Sequence, residues 1–403
     1  MSEVGEIATA SVSPSYKRGF NPSLEGLRAV ASFGVLATHV SFQTGMDPAT
    51  PVGSVLARFD YFVAVFFALS AFLLWRGQLG GRRIRTGGDV ARYWRNRLGR
   101  ILPAYLACVT AVVLLLPDAA GMDVGQILAN LTMAQIYVAD GLAPGLTHLW
   151  SLCVEMAFYV ALPVLVLLAP ARRTGRIVLT VLVAALSLGW AFLPFVEATP
   201  AEGVANRQIW PPAYACWFAV GILAAECEGR VGPRVRRVLR IRWLWWALAL
   251  ATAWVAGQEF FGPLGLTHPS PGEFVLRILA GTVFAAALVV PYALAPANGW
   301  LASPVMTWLG RISYSVFLWH LAVMAVVFPL SGIDYFQGGQ DFLPVFVLTA
   351  AITVVVSAAS YVFVEEPARR FVRALGARGS STSTTRHDTV SAQTAASASS
   401  SPA

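Results

Sequence analysis

The stretch Leu24–Phe42, LEGLRAVASFGVLATHVSF, decides the fold. Its length and apolar content suit one crossing of a bilayer, yet it carries Arg28 and His39. An ionisable side chain in hydrocarbon is costly unless partnered, so two in one span mark a functional site. Eleven residues at about 100° each leave the two side chains about 20° apart on one helix face. A rise of about 1.5 Å per residue sets them about 16 Å apart along the axis. The rest of the chain has to supply their partners.

Composition extends this reading to the whole molecule. The 403 residues are 57% hydrophobic and 12% charged, where soluble domains carry about 25% charged residues. Apolar runs near 24–43, 53–75, 99–117, 148–169, 177–196, 209–226, 243–261, 274–296, 306–328 and 342–364 predict an all-α, polytopic membrane protein. About ten transmembrane helices then form one bundle in the lipid bilayer. Alternating the connections between two sides puts 25 of the 29 basic residues on one side. This asymmetry accounts for the net charge of +8 without a nucleic acid partner, and it predicts a multi-pass protein of the cell membrane with both termini cytoplasmic. The first twenty residues hold no apolar run of the kind a cleaved signal needs. Residues 1–20 and the Ser/Thr/Ala-rich 374–403 are expected to be disordered, leaving 21–373 as the transmembrane domain. The four cysteines form no C-x-x-C pair, so neither a disulfide framework nor a metal site is indicated.

With the first span running outward, Arg28 falls near the cytoplasmic boundary and His39 in the outer half. A cation there, with a base about 16 Å deeper, suits a substrate with an anionic head and a long thioester arm. The competing reading is an arginine reaching the inner headgroups and a histidine bonded to a carbonyl. The fourth span, THLWSLCVEMAFYVALP (147–163), runs inward. It places His148, Trp150 and Ser151 at the outer, acceptor side and Glu155 at about the depth of His39. A carboxylate on one imidazole nitrogen fixes the tautomer and raises the basicity of the other, so Glu155 is the expected orienter of His39. The alternative is a structural pair between helices. The segment RYWRNRLGRILPAY (92–105) sets Arg92, Arg95, Arg97 and Arg100 at the cytoplasmic mouth of the third span. Guanidinium forks suit phosphates, and anionic lipid headgroups are the other candidates. In LGRISYSVFLWHLAV (309–323), Arg311 and His320 fall on opposite faces, which makes His320 an acceptor-side group or a support for the catalyst. FFALSAFLLW (66–75) reads as close helix packing, and EEPARRF (365–371) as a helix stop whose Glu365 pairs with nearby arginines. No P-loop, HExxH or GxSxG pattern is present.

Six ordered blocks over about residues 21–373 resemble the integral-membrane acyltransferase-3 family. They are SLEGLRAVASFGVLATH with its R-x10-H spacing, VFFALSAFLLW, YWRNRLGRILPAY with Arg97 and Arg100 as R-x-x-R, THLWSLCVEMAFY, LGRISYSVFLWH and VEEPARR. Glu25 stands where Asp is usual, Ala71 replaces a glycine, and Met156 follows Glu155 where a second Glu is common. The resemblance implies a ten-helix enzyme without the hydrolase-like domain fused to some members. Such enzymes take an acyl group, often acetyl, from cytoplasmic acyl-CoA, and no metal is expected here. On this reading Arg28, Arg95, Arg97 and Arg100 are the expected coenzyme A-binding residues, His39 is the general base or a transient acyl acceptor with Glu155 orienting it, and His148, Trp150, Ser151 and His320 are the expected acceptor-side residues. The acceptor hydroxyl would lie on an envelope glycolipid or glycan, or on a secondary metabolite such as a macrolide. The use of arginine over lysine, the high alanine content and the stretch THVSFQTG look actinobacterial, which points to a resemblance to trehalose monomycolate acetyltransferases or to macrolide-tailoring relatives. The rival from another class is a proton-coupled transporter or flippase, against which the lack of a visible inverted repeat counts.

Overall fold

The computed structural model describes residues 19–81, 83–199, 206–264 and 267–375. The expected disorder at the two ends falls almost wholly outside these residues; the last helix runs to Leu375. Among the described residues the chain is helical and without strands. The α-helices are α1 (Pro22–Thr44), α2 (Pro51–Ala57), α3 (Phe62–Leu79), α4 (Gly87–Leu115), α5 (Val124–Leu131), α6 (Trp150–Leu168) and α7 (Arg173–Ser187). They continue with α8 (Pro194–Glu197), α9 (Ala215–Cys227), α10 (Pro233–Leu239), α11 (Arg242–Ala256), α12 (Pro271–Leu294), α13 (Pro304–Ser331) and α14 (Phe342–Ser360).

Local sequence sets the ends of these helices. The Asn21 side chain accepts from the Ser23 N–H and Pro22 occupies the first turn of α1, where its missing N–H costs nothing. Gly45, at φ 76°, closes the same helix in the left-handed conformation. Reciprocal capping boxes start α4 (Thr86 with Asp89) and α12 (Ser270 with Glu273). The expected stop at EEPARRF does not form. A π-turn over Tyr361–Glu365 carries the helix on to Leu375 and absorbs the N–H that Pro367 lacks.

Each of the ten expected spans falls on helical chain. Seven helical segments among the described residues are long and apolar enough to cross a membrane, and an eighth counts if α10 and α11, bent by 60°, are one span. The remaining two expected spans correspond to α1 and α9. α1 has the length, at 23 residues, but Arg28, His39, Gln43 and its hydroxyl side chains lower its hydropathy. α9 has only 13 residues. Burial separates centre from periphery: α13 buries 72% of its apolar stretch, whereas the segment Arg173–Phe192, which contains α7, buries 6%. That outer segment presents its apolar surface to lipid.

The centre is the pair α1 and α13, which run in the same direction. Gly310 of α13 lies against the backbone of Glu25, and Gly26 of α1 against the Leu301 carbonyl, so neither position has space for a Cβ. α3 and α9 cross as closely, Gly221 meeting the Ala68 carbonyl and the Phe72 N–H. Gly310→Ala should therefore force α1 and α13 apart and lower apparent stability by about 1–3 kcal/mol. Gly77→Ala, where an added Cβ meets nothing, should be neutral or stabilising by about 0.5–1 kcal/mol. Thermal unfolding of the two purified variants followed by size-exclusion fluorescence checks this, and equal effects would refute the close-approach argument.

Candidate functional site

A cavity of about 100 Å³ opens between α1, α3, α4, α6 and α13. Three guanidiniums line it: Arg28 from α1, and Arg97 and Arg100 from one face of α4. Arg28 Nε donates to Ser313 Oγ at 3.4 Å and lies 3.9 Å from a Glu25 oxygen, both long contacts. Arg97 sits over the Tyr159 ring, 5.8 Å from its centroid. Among the described residues neither Arg97 nor Arg100 has a hydrogen bond or ion pair, so their forks are free for an anion.

One carboxylate shares the cavity. Glu155 Oε1 accepts from the Tyr159 hydroxyl at 2.5 Å and from the Ser70 hydroxyl. These two hydroxyls lie 3.3 Å apart and satisfy one oxygen between them. Glu155 Oε2 has no hydrogen-bond partner among the described residues.

Further along α1, three of the chain's five histidines meet. The His39 ring centroid is 5.0 Å from that of His320 and 6.2 Å from that of His148; His148 and His320 are 4.6 Å apart, edge to face. His39 Nδ1 lies 2.8 Å from the Val35 carbonyl and 3.1 Å from His320 Nε2. His320 Nδ1 lies 2.7 Å from the Phe317 carbonyl, and His148 Nε2 lies 3.2 Å from the Leu318 carbonyl. Among the described residues no group of three His, Cys, Asp or Glu side chains is arranged to hold a metal ion. Phe317 and Ser151 join the two regions. Phe317 lines the cavity and lies 5.2 Å from the His148 ring, while Ser151 lines the cavity and bonds the His148 carbonyl.

The structure revises several sequence-based expectations. No hydrogen bond joins Glu155 to His39. His148, expected at the outer rim, stands level with His39, and seven further residues of α6 carry Glu155 about 10 Å towards Arg28. The imidazole partner of His39 is His320, fully buried on α13. Arg95 does not line the cavity, because two residues turn about 200° around α4 and put it on another side from Arg97. Arg92 pairs with Asp89 at 2.9 Å. Trp150 packs on Tyr214, with ring centroids 5.2 Å apart, and does not line the cavity. Glu365 is buried and pairs with Arg369 at 3.2 Å as expected, and it also accepts from Ser315. Sequence reasoning missed Ser70, read as packing, and Tyr159, although Tyr159 stands four residues after Glu155 on the same helix face.

Comparison with known proteins bears on this site. The chain matches the profile of the Acyl_transf_3 family, described as an acyltransferase domain, over residues 21–362. A Staphylococcus aureus protein provisionally named an O-acetyltransferase is 25% identical, over 90% of this chain and 60% of its own length. Nodulation protein 10 of Rhizobium leguminosarum bv. viciae is 26% identical, over 78% of this chain and 84% of its own. The acyltransferase MdmB of Streptomyces mycarofaciens is 29% identical, over 75% and 79% respectively. The chain thus spans about 60% of the length of the Staphylococcus relatives. No solved structure matches it.

The shared oxygen of Glu155 has a measurable consequence. Ser70→Ala and Tyr159→Phe should each cost about 1.5–3 kcal/mol of stability, as losses of hydrogen bonds to a charged group. The double variant should depart from the sum by about 0.5 kcal/mol or more, because both donors meet one atom. Strict additivity in denaturant unfolding would show that the two hydroxyls act separately.

Proposed function

Because the chain belongs to the acyltransferase family whose profile spans residues 21–362, we propose that it is a membrane-bound O-acyltransferase drawing on cytoplasmic acyl-CoA. The observation that carries this reading is one face of α1. It presents Arg28 to a cavity with two further unpaired guanidiniums, and presents His39 about 16 Å along the same face. Arg28, Arg97 and Arg100 hold the phosphates of coenzyme A, and the pantetheine arm brings the thioester past Phe317 towards the histidines. Glu155, Ser70 and Tyr159 belong to the donor end. His39 is the general base. Its Nε2 takes the proton of the acceptor hydroxyl as the new C–O bond forms, the C–S bond breaks, and the proton leaves on the thiol of coenzyme A. Acetyl is the proposed acyl group, in keeping with the O-acetyltransferase name of the Staphylococcus relative. The proposed acceptor is a hydroxyl of an envelope glycolipid or glycan, approaching from the end of α1 that carries His39, with His148 and Ser151 nearby.

Acetyl-CoA consumption by purified protein, followed as free thiol, separates this reading from a transporter, which consumes no thioester. His39→Ala should lower turnover by about 10²-fold or more. Arg97→Ala and Arg100→Ala should each raise the acetyl-CoA KM about tenfold, the loss of one charge-assisted contact of about 1.5–3 kcal/mol. Lysine should rescue these only in part, since it keeps the charge without the planar fork. Unchanged KM values would refute the donor site. Comparing acylated envelope lipids from wild-type and deletion strains tests the acceptor class.

A further inference from the structure

Two short contacts fix the protons of the histidine pair. A carbonyl oxygen only accepts, so the contacts of 2.7 Å to Phe317 and 2.8 Å to Val35 require a hydrogen on Nδ1 of both His320 and His39. In neutral rings both Nε2 atoms are then bare. His320 Nε2, 3.1 Å from His39 Nδ1, therefore accepts from the His39 N–H, which it shares with the Val35 carbonyl. The opposite assignment would set a His39 lone pair against that carbonyl at 2.8 Å. His320 is 0% exposed, wedged between His148 and Phe317, and its ring cannot turn without breaking its bond to the Phe317 carbonyl.

From this geometry we infer that His320 is the positioning residue of His39, doing with a neutral imidazole what a carboxylate does behind a catalytic histidine. The inference rests on the reading of His39 as the base. With its Nδ1–H held from behind, His39 presents Nε2 to the acceptor hydroxyl. When Nε2 takes that proton, the His320 lone pair stabilises the imidazolium until the proton passes to the departing thiolate. A single hydrogen lies between the two rings, so one imidazolium at most forms in the pair. A neutral partner also avoids burying an anion at this depth.

The test uses the full chain in lipid nanodiscs with acetyl-CoA as probe. His320→Leu fills similar space without an acceptor, His320→Gln can set an amide oxygen near the position of Nε2, and His320→Asn is too short to do so. Leu and Asn should lower kcat for thiol release at least tenfold with the acetyl-CoA KM unchanged, and Gln should recover to within about fivefold of wild type. Modification of His39 by diethyl pyrocarbonate, read by peptide mass mapping, reports on its bare nitrogen without needing an acceptor. It should slow in Leu and Asn and recover in Gln. The Gln and Asn pair keeps the question decidable if the Leu variant fails to fold. Equal kcat and equal modification rates in all variants would overturn the inference, as would Leu, Asn and Gln failing alike. Should His39→Ala retain turnover, the reading of His39 as base fails instead. Loss of turnover in His39→Ala beside a fully active His320→Leu overturns the role of His320 alone. If the wild type releases no thiol from acetyl-CoA, the modification rates decide.

Discussion

A polar side chain enclosed in a membrane-spanning bundle must find its partner inside the protein, and α1 imposes that demand twice on one face. Both demands are met by α13. Because the two helices run in the same direction, Ser313 and His320, seven residues apart and on one face of α13, stand opposite Arg28 and His39. The reach of the Arg28 side chain covers the difference between the two spacings. Such contacts need the helices close together, and Gly26 and Gly310 allow it. A wider α1–α13 crossing would leave Arg28 only the distant Glu25 oxygen and His39 only the Val35 carbonyl of its own helix, so the small residues and the polar ones form a single constraint.

The contact also divides the molecule chemically. At one end, three guanidiniums face one carboxylate, Glu155, within the cavity, an excess of positive charge that suits a polyanionic head. At the other, three imidazoles lie within 6.2 Å of one another. Phe317 stands between, its ring against His148 on one side and the cavity on the other. An extended ligand that engages both ends has to pass this aromatic wall.

Much of this was legible in the sequence. The all-α polytopic class, the positions of the spans, and the shared face of Arg28 and His39 follow from hydropathy and the helix period, both local properties of the chain. The R-x-x-R pair also lies on one face, as spacing requires, whereas Arg95 failed for the same geometric reason. Two features were not legible because they depend on how helices slide past one another. His148 sits level with His39 rather than at the rim, since a short turn at Thr147–Leu149 precedes α6 inside the bundle. This offset of about two turns carries Glu155 away from His39 by the same amount. The pairing of His320 with His39 is likewise a matter of register between α1 and α13. The seven-residue spacing from Ser313 to His320 puts both on one helix face, whereas Arg311 is exposed and off that face.

Why Glu155 lies among the arginines follows from its need for donors. A carboxylate taken out of water requires hydrogen bonds on its oxygens, and an unpaired one is costly. At the arginine end Ser70 and Tyr159 supply two hydroxyls, and the guanidiniums of Arg28, Arg97 and Arg100 line the same cavity. The histidine end offers no such supply. His39 and His320 each give an Nδ1–H to a backbone carbonyl, and His148 gives its Nε2–H to another. A carboxylate beside His39 would find one donor there, the His39 Nδ1–H, for its several lone pairs, whereas a bare imidazole nitrogen needs only that one. A histidine suits the place behind His39, because its single bare nitrogen is satisfied by the one N–H that His39 turns towards it.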